Sequence, residues 1–509
     1  MAAETRVRFA PSPTGALHIG GVRTALYNYL FAKKTGGKMV LRIEDTDQNR
    51  YVEGAETYIM EALKWCGIVP DESPEREGDF GPYRQSERLN HYQQYANQLI
   101  AEGHAYYAFD TPEEIEAMRE RQKASKSAVQ QYAIATRMEM RNSLTLSDKE
   151  VESLLNSGTP YVVRLKIPEN KEIVVEDVVR GEVKVQSDSI DDKILMKSDG
   201  FPTYHLANVV DDHLMNITHV IRGEEWLPSA PLHSLLYEFL GWSDTMPKMA
   251  HLPLLLKPEG TGKLSKRDAD KHGFPIFPLN WIDPKTNDFA EGFREQGYLP
   301  DALVNFMAFL GWNPGTEEEL FDMSALIDAF ELSRIGKSGA KFDIEKAKWY
   351  NEQYLRKLPI SELGAILAHD AKVNHVDYDL QKAELVADLM RERITFPQDL
   401  WNQSRFFFVT PSKYDEKFAR KKWTQEGVDV LKIFAEKLDN MNIEDKEATK
   451  QALYDVSEAQ GVGFGKVMPA LRLALTGTGG GPDIFDIISI IGREETKVRI
   501  LRACEILEV

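Results

Sequence analysis

The sequence has 509 residues and a net charge of −18, and 42% of its residues are hydrophobic while 28% are charged. This composition excludes a disordered or collagen-like chain, and at roughly 100–200 residues per domain the length predicts about three to five domains. No apolar stretch reaches the ~18 residues that a membrane span needs, which argues against a membrane protein.

The first residues of the chain and its two cysteines are informative about the cellular compartment. A strand predicted within a few residues of Met1, and the acidic Glu4 just before it, disfavour a cleaved targeting sequence. The two cysteines, Cys66 and Cys504, have the spacing of neither a disulfide framework nor a zinc site. We therefore expect a cytoplasmic protein.

The acidic total at first argues against an RNA partner, because lysine and arginine supply most of the affinity for phosphates. The total hides the distribution, however, since basic residues cluster at 263–267 and at 417–422. A solvated helix face is the simpler explanation for the second cluster. Net charge alone therefore does not exclude RNA.

The chain opens with the pattern of a nucleotide-binding unit. An apolar strand over 5–9 is followed by a turn rich in glycine and proline, a helix with apolar residues at i, i+3, i+4 and i+7, and a second buried strand over 39–43. This order predicts the first third of a Rossmann-type parallel sheet, and so an α/β protein. A ligand phosphate or adenine at the start of the helix would meet unpaired N–H groups, and Gly20 and Gly21 would let it approach closely.

The predicted secondary structure changes in the middle of the chain. A glycine- and proline-bearing stretch leads to a predicted helix over 87–102, and from 105 to about 197 short strands alternate with helices, which predicts an α+β insertion. Buried-strand character returns at 203–212 and 217–221, as if the first sheet resumed. The strands predicted within the insertion are 161–167, 173–177 and 183–186.

The last part of the chain is predicted to be helical. Residues 257–292 form a long stretch rich in glycine and proline, and its segment 270–290 has no assigned role. From Pro300 onward helical patterns dominate almost to the end.

Two short segments far apart fit the two halves of one ATP site. His18-Ile-Gly20-Gly21 is similar to the HIGH signature, and 263–267 to the KMSKS signature, of class I aminoacyl-tRNA synthetases. The segments around them resemble glutamyl-tRNA synthetases of the bacterial type, from about residue 5 to about residue 502. These segments are 8–15, 42–47, 81–88 and 204–212.

The resemblance implies a Rossmann-type catalytic domain with an α+β acceptor-stem insertion and a helical anticodon-binding region. We expect the two halves of the catalytic domain at 1–100 and 203–256, and the insertion at 101–202. A KMSKS-like loop with a stem-contact domain is expected at 257–345, and the anticodon-binding domain at 346–509.

Activation of an amino acid joins its carboxylate to the α-phosphate of ATP and expels pyrophosphate, so cations near the phosphates would stabilise the transition state. We predict His18, Lys263 and Lys266 as catalytic residues, although an exposed charged turn is the simpler interpretation of 263–267 taken alone. The predicted ATP-binding residues are His18, Gly20, Gly21, Lys263, Ser265, Lys266 and Arg267.

Metal ions are expected only with the ATP. Mg²⁺ in such reactions is held mostly by phosphates and water, and we interpret the aspartates after the predicted strands as helix caps. These are Asp45, Asp47, Asp211 and Asp212. The family often carries zinc-binding cysteines just after an Ala-Tyr pair, but 105–110 has none, so we predict a zinc-free member ordered there by the packing of Tyr106, Tyr107 and Phe109.

Two arginines are predicted to select the amino acid. Arg8 and Arg222 end predicted strands, and parallel strands present their carboxyl ends at one edge, where ligands bind. A guanidinium pairs a carboxylate bidentately, although an ion pair of Arg222 with Glu224 or Glu225 is the alternative. With the additions that the resemblance implies, the glutamate-binding residues are Arg8, Ala10, Ser12, Glu44, Tyr204, Asn208, Arg222 and Trp226.

The resemblance also implies tRNA contacts in the helical region. Segments 465–477 and 481–485 are similar to the end of the bacterial enzymes, and Arg472 could stack on or bond to an unstacked base. Arg393 aligns with an arginine that favours C over U at the first anticodon position, but a helix-surface salt bridge explains it equally well.

The expected reaction attaches L-glutamate to tRNA(Glu) through a glutamyl-adenylate, releasing AMP and pyrophosphate, in a monomer. A non-discriminating form that also charges tRNA(Gln), and a catalytically silent tRNA-binding relative, remain as alternatives. The length argues against a truncated relative that modifies tRNA(Asp), because that protein lacks an anticodon-binding half.

Overall fold

The computed structural model describes residues 4–125 and 130–508. The chain divides into two compact units. The larger comprises the residues through Gln296 together with Pro300–Ala347, and the smaller comprises Gly297–Leu299 and the chain from Lys348 onward.

The strands all lie in the larger unit. They are β1 (Arg6–Phe9), β2 (Lys38–Leu41), β3 (Ala105–Ala108), β4 (Val162–Leu165), β5 (Glu172–Asp177), β6 (Gly181–Gln186), β7 (Ile194–Met196), β8 (His219–Gly223), β9 (Lys248–Leu252), β10 (Leu255–Leu256), β11 (Trp281–Ile282), β12 (Phe289–Ala290) and β13 (Ala340–Lys341).

The helices of the larger unit are α1 (Ile19–Lys34), α2 (Ala55–Trp65), α3 (Leu89–Ala101), α4 (Pro112–Ala124), α5 (Asp148–Asn156), α6 (Tyr204–Leu214), α7 (Ala230–Phe239), α8 (Lys266–His272), α9 (Pro300–Ala308) and α10 (Met323–Ala329). The smaller unit contains most of α11 (Ile344–Lys357), followed by α12 (Ile360–Val373), α13 (Leu380–Met390), α14 (Asp399–Ser404), α15 (Glu416–Lys422), α16 (Gln425–Lys437), α17 (Lys446–Ala459), α18 (Phe464–Thr476), α19 (Ile484–Ile491) and α20 (Arg493–Ile506).

A six-stranded sheet with the order β2-β1-β8-β9-β5-β6 organises the larger unit. All its neighbouring strands are parallel except the antiparallel pair β5 and β6. Every residue of β1 is buried, its two arginines included, and Val7, Val40 and Ile221 on β1, β2 and β8 are fully buried. The predicted strand, turn, helix and strand at the start of the chain are confirmed as β1, α1 and β2.

The structure corrects the predicted strand at 203–212, which is the helix α6. Its apolar residues Leu206, Val209 and Val210 are buried at i, i+3 and i+4, and the polar residues Asn208 and Asp211 are buried as well. A short apolar run such as this one cannot be assigned to a strand or a helix from its periodicity alone.

Two strands predicted for the insertion join the main sheet instead. β5 pairs in parallel with β9 through Asp177 and Met249, and β6 pairs with β5 as a hairpin. The remaining strands of this region form a separate sheet in the order β3-β4-β7. Pairing between residues this far apart depends on tertiary packing, which local sequence patterns do not reveal.

Aromatic side chains pack around β3 at the position where relatives were expected to hold zinc. The Tyr106 hydroxyl donates to Asp192 at 2.6 Å, and the ring of Tyr107 meets Tyr161 edge-on with centroids 5.1 Å apart. Over residues 4–125 and 130–508, no group of three or more His, Cys, Asp or Glu side chains is arranged to hold a metal ion.

The unassigned segment 270–290 contains the end of α8 and the hairpin of β11 and β12. The hairpin is anchored by Tyr58, whose hydroxyl donates to the Leu279 carbonyl at 2.6 Å and accepts from the Leu279 N–H at 3.1 Å. The Trp281 ring meets Tyr58 edge-on, with centroids 5.2 Å apart. The segment is therefore an ordered part of the larger unit.

The smaller unit is helical around one apolar core, in which Leu431, Phe434, Leu453 and Leu471 are fully buried. In the described part of the chain, no helix is long and apolar enough to cross a membrane.

Candidate active site

A pocket of about 230 Å³ lies at the carboxyl edge of the main sheet, where β1, β8 and the start of α1 meet. Arg8 and Arg222 enter it from the neighbouring parallel strands β1 and β8. The structure brings together in this pocket all of the predicted glutamate-binding residues and part of the predicted ATP-binding set. These are Arg8, Ala10, Ser12, Glu44, Tyr204, Asn208, Arg222 and Trp226, together with His18, Gly20, Gly21 and Lys263.

His18 caps the N-terminus of α1. Its Nδ1 accepts the Gly20 N–H at 3.0 Å, so in the neutral ring the proton is on Nε2. The surrounding protein, and after it the charge of Lys263, lowers the pKa of His18, although one side of the ring is open to the pocket. A neutral His18 therefore has an Nε2–H donor for a ligand in the pocket.

The expectation of unpaired N–H groups at this helix start is wrong. The Ile19 N–H donates to the Ile276 carbonyl at 2.9 Å, the Gly20 N–H to His18 Nδ1, and the Gly21 N–H to the His18 carbonyl at 2.9 Å. The helix offers a ligand its dipole and the His18 ring rather than free amides.

The two glycines are required by the packing of their neighbours. A Cβ on Gly20 would lie 2.7 Å from Cε1 of His18, and a Cβ on Gly21 would lie 2.5 Å from Cδ1 of Leu17. A side chain at either position would therefore displace the residues that form the pocket wall.

The second signature divides between the pocket and a helix. Lys263 lines the pocket, and its Nζ lies 3.3 Å from Oε1 of Glu225. Ser265 caps α8 with Asp268, and Lys266 and Arg267 stand in the first turn of that helix, exposed and outside the pocket wall. Cations at a helix N-terminus interact unfavourably with the macrodipole, so Lys266 and Arg267 do not stabilise α8.

Arg8 is fixed by a carboxylate. Its Nε donates to both oxygens of Asp212, at 3.0 and 3.2 Å, and both side chains are buried. Among the described residues, no acceptor takes the two Nη groups of Arg8. They are the donors that Arg8 offers to the pocket.

Arg42 links that carboxylate to Glu44. The Arg42 side chain is fully buried, and its Nη1 donates to Asp212 at 2.8 Å while Nη2 donates to Oε1 of Glu44 at 3.1 Å. The Asn208 amide also donates to Oε1 of Glu44, at 3.1 Å. Burial raises the pKa of Glu44, although Arg42 and Arg8 oppose that effect.

Asp211 completes this buried group of charges. It accepts from Arg88 Nε at 2.7 Å and from the Tyr92 hydroxyl at 2.8 Å, and it lies 3.8 Å from Nε of Arg42. The interpretation of Asp211 and Asp212 as helix caps is therefore wrong. Both lie inside α6, where they neutralise arginines from other elements.

Among the residues that the structure describes, no carboxylate pairs with Arg222. Its Nε donates to His251 Nε2 at 2.9 Å, and Nη1 donates to the Tyr204 hydroxyl at 2.8 Å. A weaker contact joins Nη2 to the Trp226 carbonyl at 3.4 Å. Arg222 is 4% exposed, so it is a buried cation held by uncharged groups.

The structure excludes the alternative of an ion pair between Arg222 and its acidic neighbours. Glu224 pairs with Arg180 and accepts the Leu254 N–H at 2.9 Å. Glu225 pairs with Lys263. The charge of Arg222 is thus available to a ligand, and a carboxylate is the group that would neutralise it.

Sequence reasoning missed several residues of this site. Arg23 lines the pocket, and its Nη groups donate to the carbonyls of Leu310 and Pro253, at 2.8 and 2.5 Å. The carboxylate partner of Arg8 and the histidine partner of Arg222 were also missed. They come from α6 and β9, far away in sequence, and no local signal identifies them.

The predicted tRNA contacts lie in the smaller unit. Arg393 is exposed at a cavity of about 700 Å³ that Trp401, Arg405 and Lys413 also line. Within the described residues Arg393 forms no ion pair, so the helix-surface salt bridge is excluded. Arg472 is not in the cavity wall, and its Nη1 donates to the Pro482 carbonyl at 2.7 Å.

A parallel nucleotide-binding sheet with His18 at its first helix, Lys263 across the pocket and a separate helical unit defines a class I aminoacyl-tRNA synthetase. The chain matches the family "tRNA synthetases class I (E and Q), catalytic domain" over residues 4–349, and "Anticodon binding domain" over residues 344–504.

Relatives specify the family further. The chain is 60% identical to the glutamate–tRNA ligase of Cytophaga hutchinsonii over 498 residues, which are 98% of this chain and 96% of the relative. It is 55% identical to that of Amoebophilus asiaticus, covering 99% of this chain and 98% of the relative. The chain belongs to the glutamate–tRNA ligase family.

A solved structure agrees with this assignment. The crystal structure of a glutamate tRNA ligase from Elizabethkingia meningosepticum, in complex with its amino acid, is similar with a TM-score of 0.95 and 49% sequence identity. The match covers 99% of this chain and 100% of that one.

Replacing Asp212 tests the buried charge group. Asp212→Asn leaves Arg8 and Arg42 without their shared carboxylate, and breaking a buried ion pair costs about 3–5 kcal/mol. For a unit of this size we expect calorimetry to show a melting midpoint lower by roughly 5 °C or more. The control Asp47→Asn removes an exposed carboxylate and should shift the midpoint little. Equal melting midpoints for the two variants would contradict the role of Asp212 as the carboxylate that neutralises Arg8 and Arg42.

Proposed function

We propose that this chain attaches L-glutamate to tRNA(Glu) in two steps that consume ATP. The observation that carries the proposal is the buried guanidinium of Arg222, held by uncharged partners in the pocket that His18 borders. Family membership supports the same reaction. The cytoplasmic location and monomeric state remain predictions from the sequence.

In the first step, an oxygen of the glutamate α-carboxylate attacks the α-phosphorus of ATP, and the bond to pyrophosphate breaks. The substrate supplies the nucleophile, so the protein contributes orientation and charge. We assign His18 Nε2–H and Lys263 to the ATP, which enters with Mg²⁺ as its companion. We also assign Lys266 and Arg267 to the phosphates of ATP, which requires that α8 approach them. Both cations stand in the first turn of α8, where they oppose the helix macrodipole, and the binding of an anion would explain their position.

The amino acid is assigned to the other side of the pocket. The γ-carboxylate would neutralise Arg222, with the Nη groups of Arg8 as further donors. The carboxylate of Glu44 would hold the α-ammonium group, with Ser12 and Ala10 beside it and Trp226 as a wall. In the second step, a ribose hydroxyl of the tRNA terminus attacks the acyl carbonyl, and AMP leaves.

The function is tested by exchange of labelled pyrophosphate into ATP. We expect exchange that requires both L-glutamate and cognate tRNA, because the family resemblance implies that activation depends on tRNA. L-Glutamine in place of glutamate should give little exchange, since a carboxamide leaves Arg222 unneutralised. No exchange with all components present would instead favour a silent tRNA-binding protein.

The raised pKa of Glu44 predicts a pH dependence. Protonation removes the charge that would hold the α-ammonium group, and a raised pKa means that this happens above the ordinary value of 4.5 as the pH falls. We expect kcat/KM for glutamate to fall on the acid side through a pKa above 4.5, with the KM for ATP nearly constant.

The matching variant is Glu44→Gln, which should have a low kcat/KM for glutamate without that acid limb. An acid limb unchanged in this variant would assign the pH dependence to another group.

Arg393 is proposed to contact the anticodon, because it is a cation at a cavity of the helical unit and forms no ion pair with any described residue. Arg393→Gln should weaken productive tRNA binding by roughly 1–3 kcal/mol, measured as a higher KM for tRNA(Glu) at unchanged KM for glutamate. The control Arg420→Gln removes a charge from the exposed helix α15 and should have little effect.

Assays with purified tRNA(Gln) test the choice of tRNA. Poor charging by the unmodified chain is expected for a discriminating enzyme, and efficient charging would establish the non-discriminating form.

A further inference from the structure

Behind Arg222 lies a second pair of side chains that does not reach the pocket. His251 on β9 is fully buried, and Asp177 at the end of β5 is 4% exposed. The Nδ1 of His251 lies 2.6 Å from Oδ2 of Asp177, and its Nε2 lies 2.9 Å from Nε of Arg222. Hydrogen bonds connect Asp177, His251 and Arg222 in that order, and Arg222 is the member that lines the pocket.

The direction of each hydrogen bond between these side chains is fixed. Arginine is only a donor, so Nε2 of His251 must be the acceptor and must carry no proton. The proton of the neutral ring is then on Nδ1, where it is donated to Asp177. A doubly protonated ring would direct an N–H donor at Arg222 and place a second positive charge beside it. Burial lowers the pKa of His251 and so favours the neutral ring, although Asp177 opposes this effect.

Asp177 is itself held by the backbone. Its Oδ1 accepts the N–H groups of Val179 and Arg180, at 2.9 and 2.8 Å, and its Oδ2 accepts the His251 N–H at 3.1 Å. These bonds close the turn after β5 and leave Oδ2 directed at the imidazole. The carboxylate therefore has one orientation, which sets that of the ring.

The bond from Nε to His251 orients the guanidinium of Arg222. An arginine has five N–H donors in a rigid plane, and fixing Nε fixes the direction of both Nη groups. His251 takes Nε and the Tyr204 hydroxyl takes one donor of Nη1. Longer contacts join Nη1 to His233 Nδ1 at 3.5 Å and Nη2 to the Trp226 carbonyl at 3.4 Å, and Arg222 lines the pocket with these Nη groups as the donors left for a ligand. Because His251 is uncharged, this support does not neutralise Arg222.

We propose that Asp177 and His251 are positioning residues that hold Arg222 for the side-chain carboxylate of the substrate, an inference that rests on the proposed function. They determine the KM for glutamate and the discrimination against glutamine, and they touch neither ATP nor the reacting atoms. A carboxylate in contact with Arg222 would have cancelled its charge. The neutral imidazole of His251, placed between Asp177 and Arg222, fixes the orientation of the guanidinium without neutralising its charge. That charge is then free to pair with the carboxylate of the ligand.

The proposal is tested by Asp177→Asn. The Asn oxygen would stay with the two backbone N–H groups, which places the amide NH₂ against Nδ1 of His251. The ring must then carry its proton on Nε2, where it faces the Nε–H of Arg222. Loss of a buried hydrogen bond to a charged group predicts a KM for glutamate raised about ten- to hundredfold.

Variants of His251 separate positioning from structure. His251→Gln can present its amide oxygen to Arg222 and should recover part of the glutamate KM, whereas His251→Leu should lose as much as Asp177→Asn. In all three variants we expect the KM for ATP to stay within about twofold of the original, and the preference for glutamate over glutamine in exchange to decrease. The controls His91→Gln and Asp244→Asn alter exposed residues away from the pocket and should match the unmodified chain.

The outcomes are distinct. An unmodified chain without glutamate-dependent exchange would refute the proposed function itself. An active chain whose Asp177→Asn and His251→Leu variants keep their KM for glutamate would overturn the positioning role. Equal losses for glutamate and ATP, with no recovery in His251→Gln, would overturn it in favour of a purely structural role.

Discussion

The site depends on how buried positive charge is distributed along one edge of a parallel sheet. Arg8, Arg42 and Arg88 are each within hydrogen-bonding distance of Asp211 or Asp212 on α6, so their charges are compensated inside the protein. Such pairs replace lost hydration only when the geometry is good. Arg222, one strand away from Arg8, is held by uncharged groups and keeps its charge for a ligand.

This distribution explains the position of α6. Two adjacent aspartates in the last turns of a buried helix can reach arginines from β1, from the segment after β2 and from the start of α3. The same helix places Tyr204 at its first turn against Arg222, and Asn208 one turn later against Glu44. One helix thus supports both the compensated and the uncompensated arginine.

Much of the fold and site could be predicted from the sequence. The strand, helix and strand at the start of the chain were recognisable because a turn rich in glycine and proline precedes the helix, and Val22, Ala25 and Leu26 follow helical spacing. The pocket residues were recognisable because their types and spacing match a known family. Helix α6 was not recognisable, since a short apolar run does not distinguish a helix from a strand. Lys266 and Arg267 lie outside the pocket wall despite their signature.

The sequence by itself determined the family, the strand, helix and strand at the start of the chain, and most of the residues that line the pocket, because these follow from local patterns and from motifs. Only the tertiary structure decided which charges are compensated. The partners of Arg8 and Arg222 are separated from them by 204 and 29 residues, and Asp177 lies 74 residues from His251. A carboxylate neutralises an arginine only through proximity and orientation, and these are properties of the folded chain.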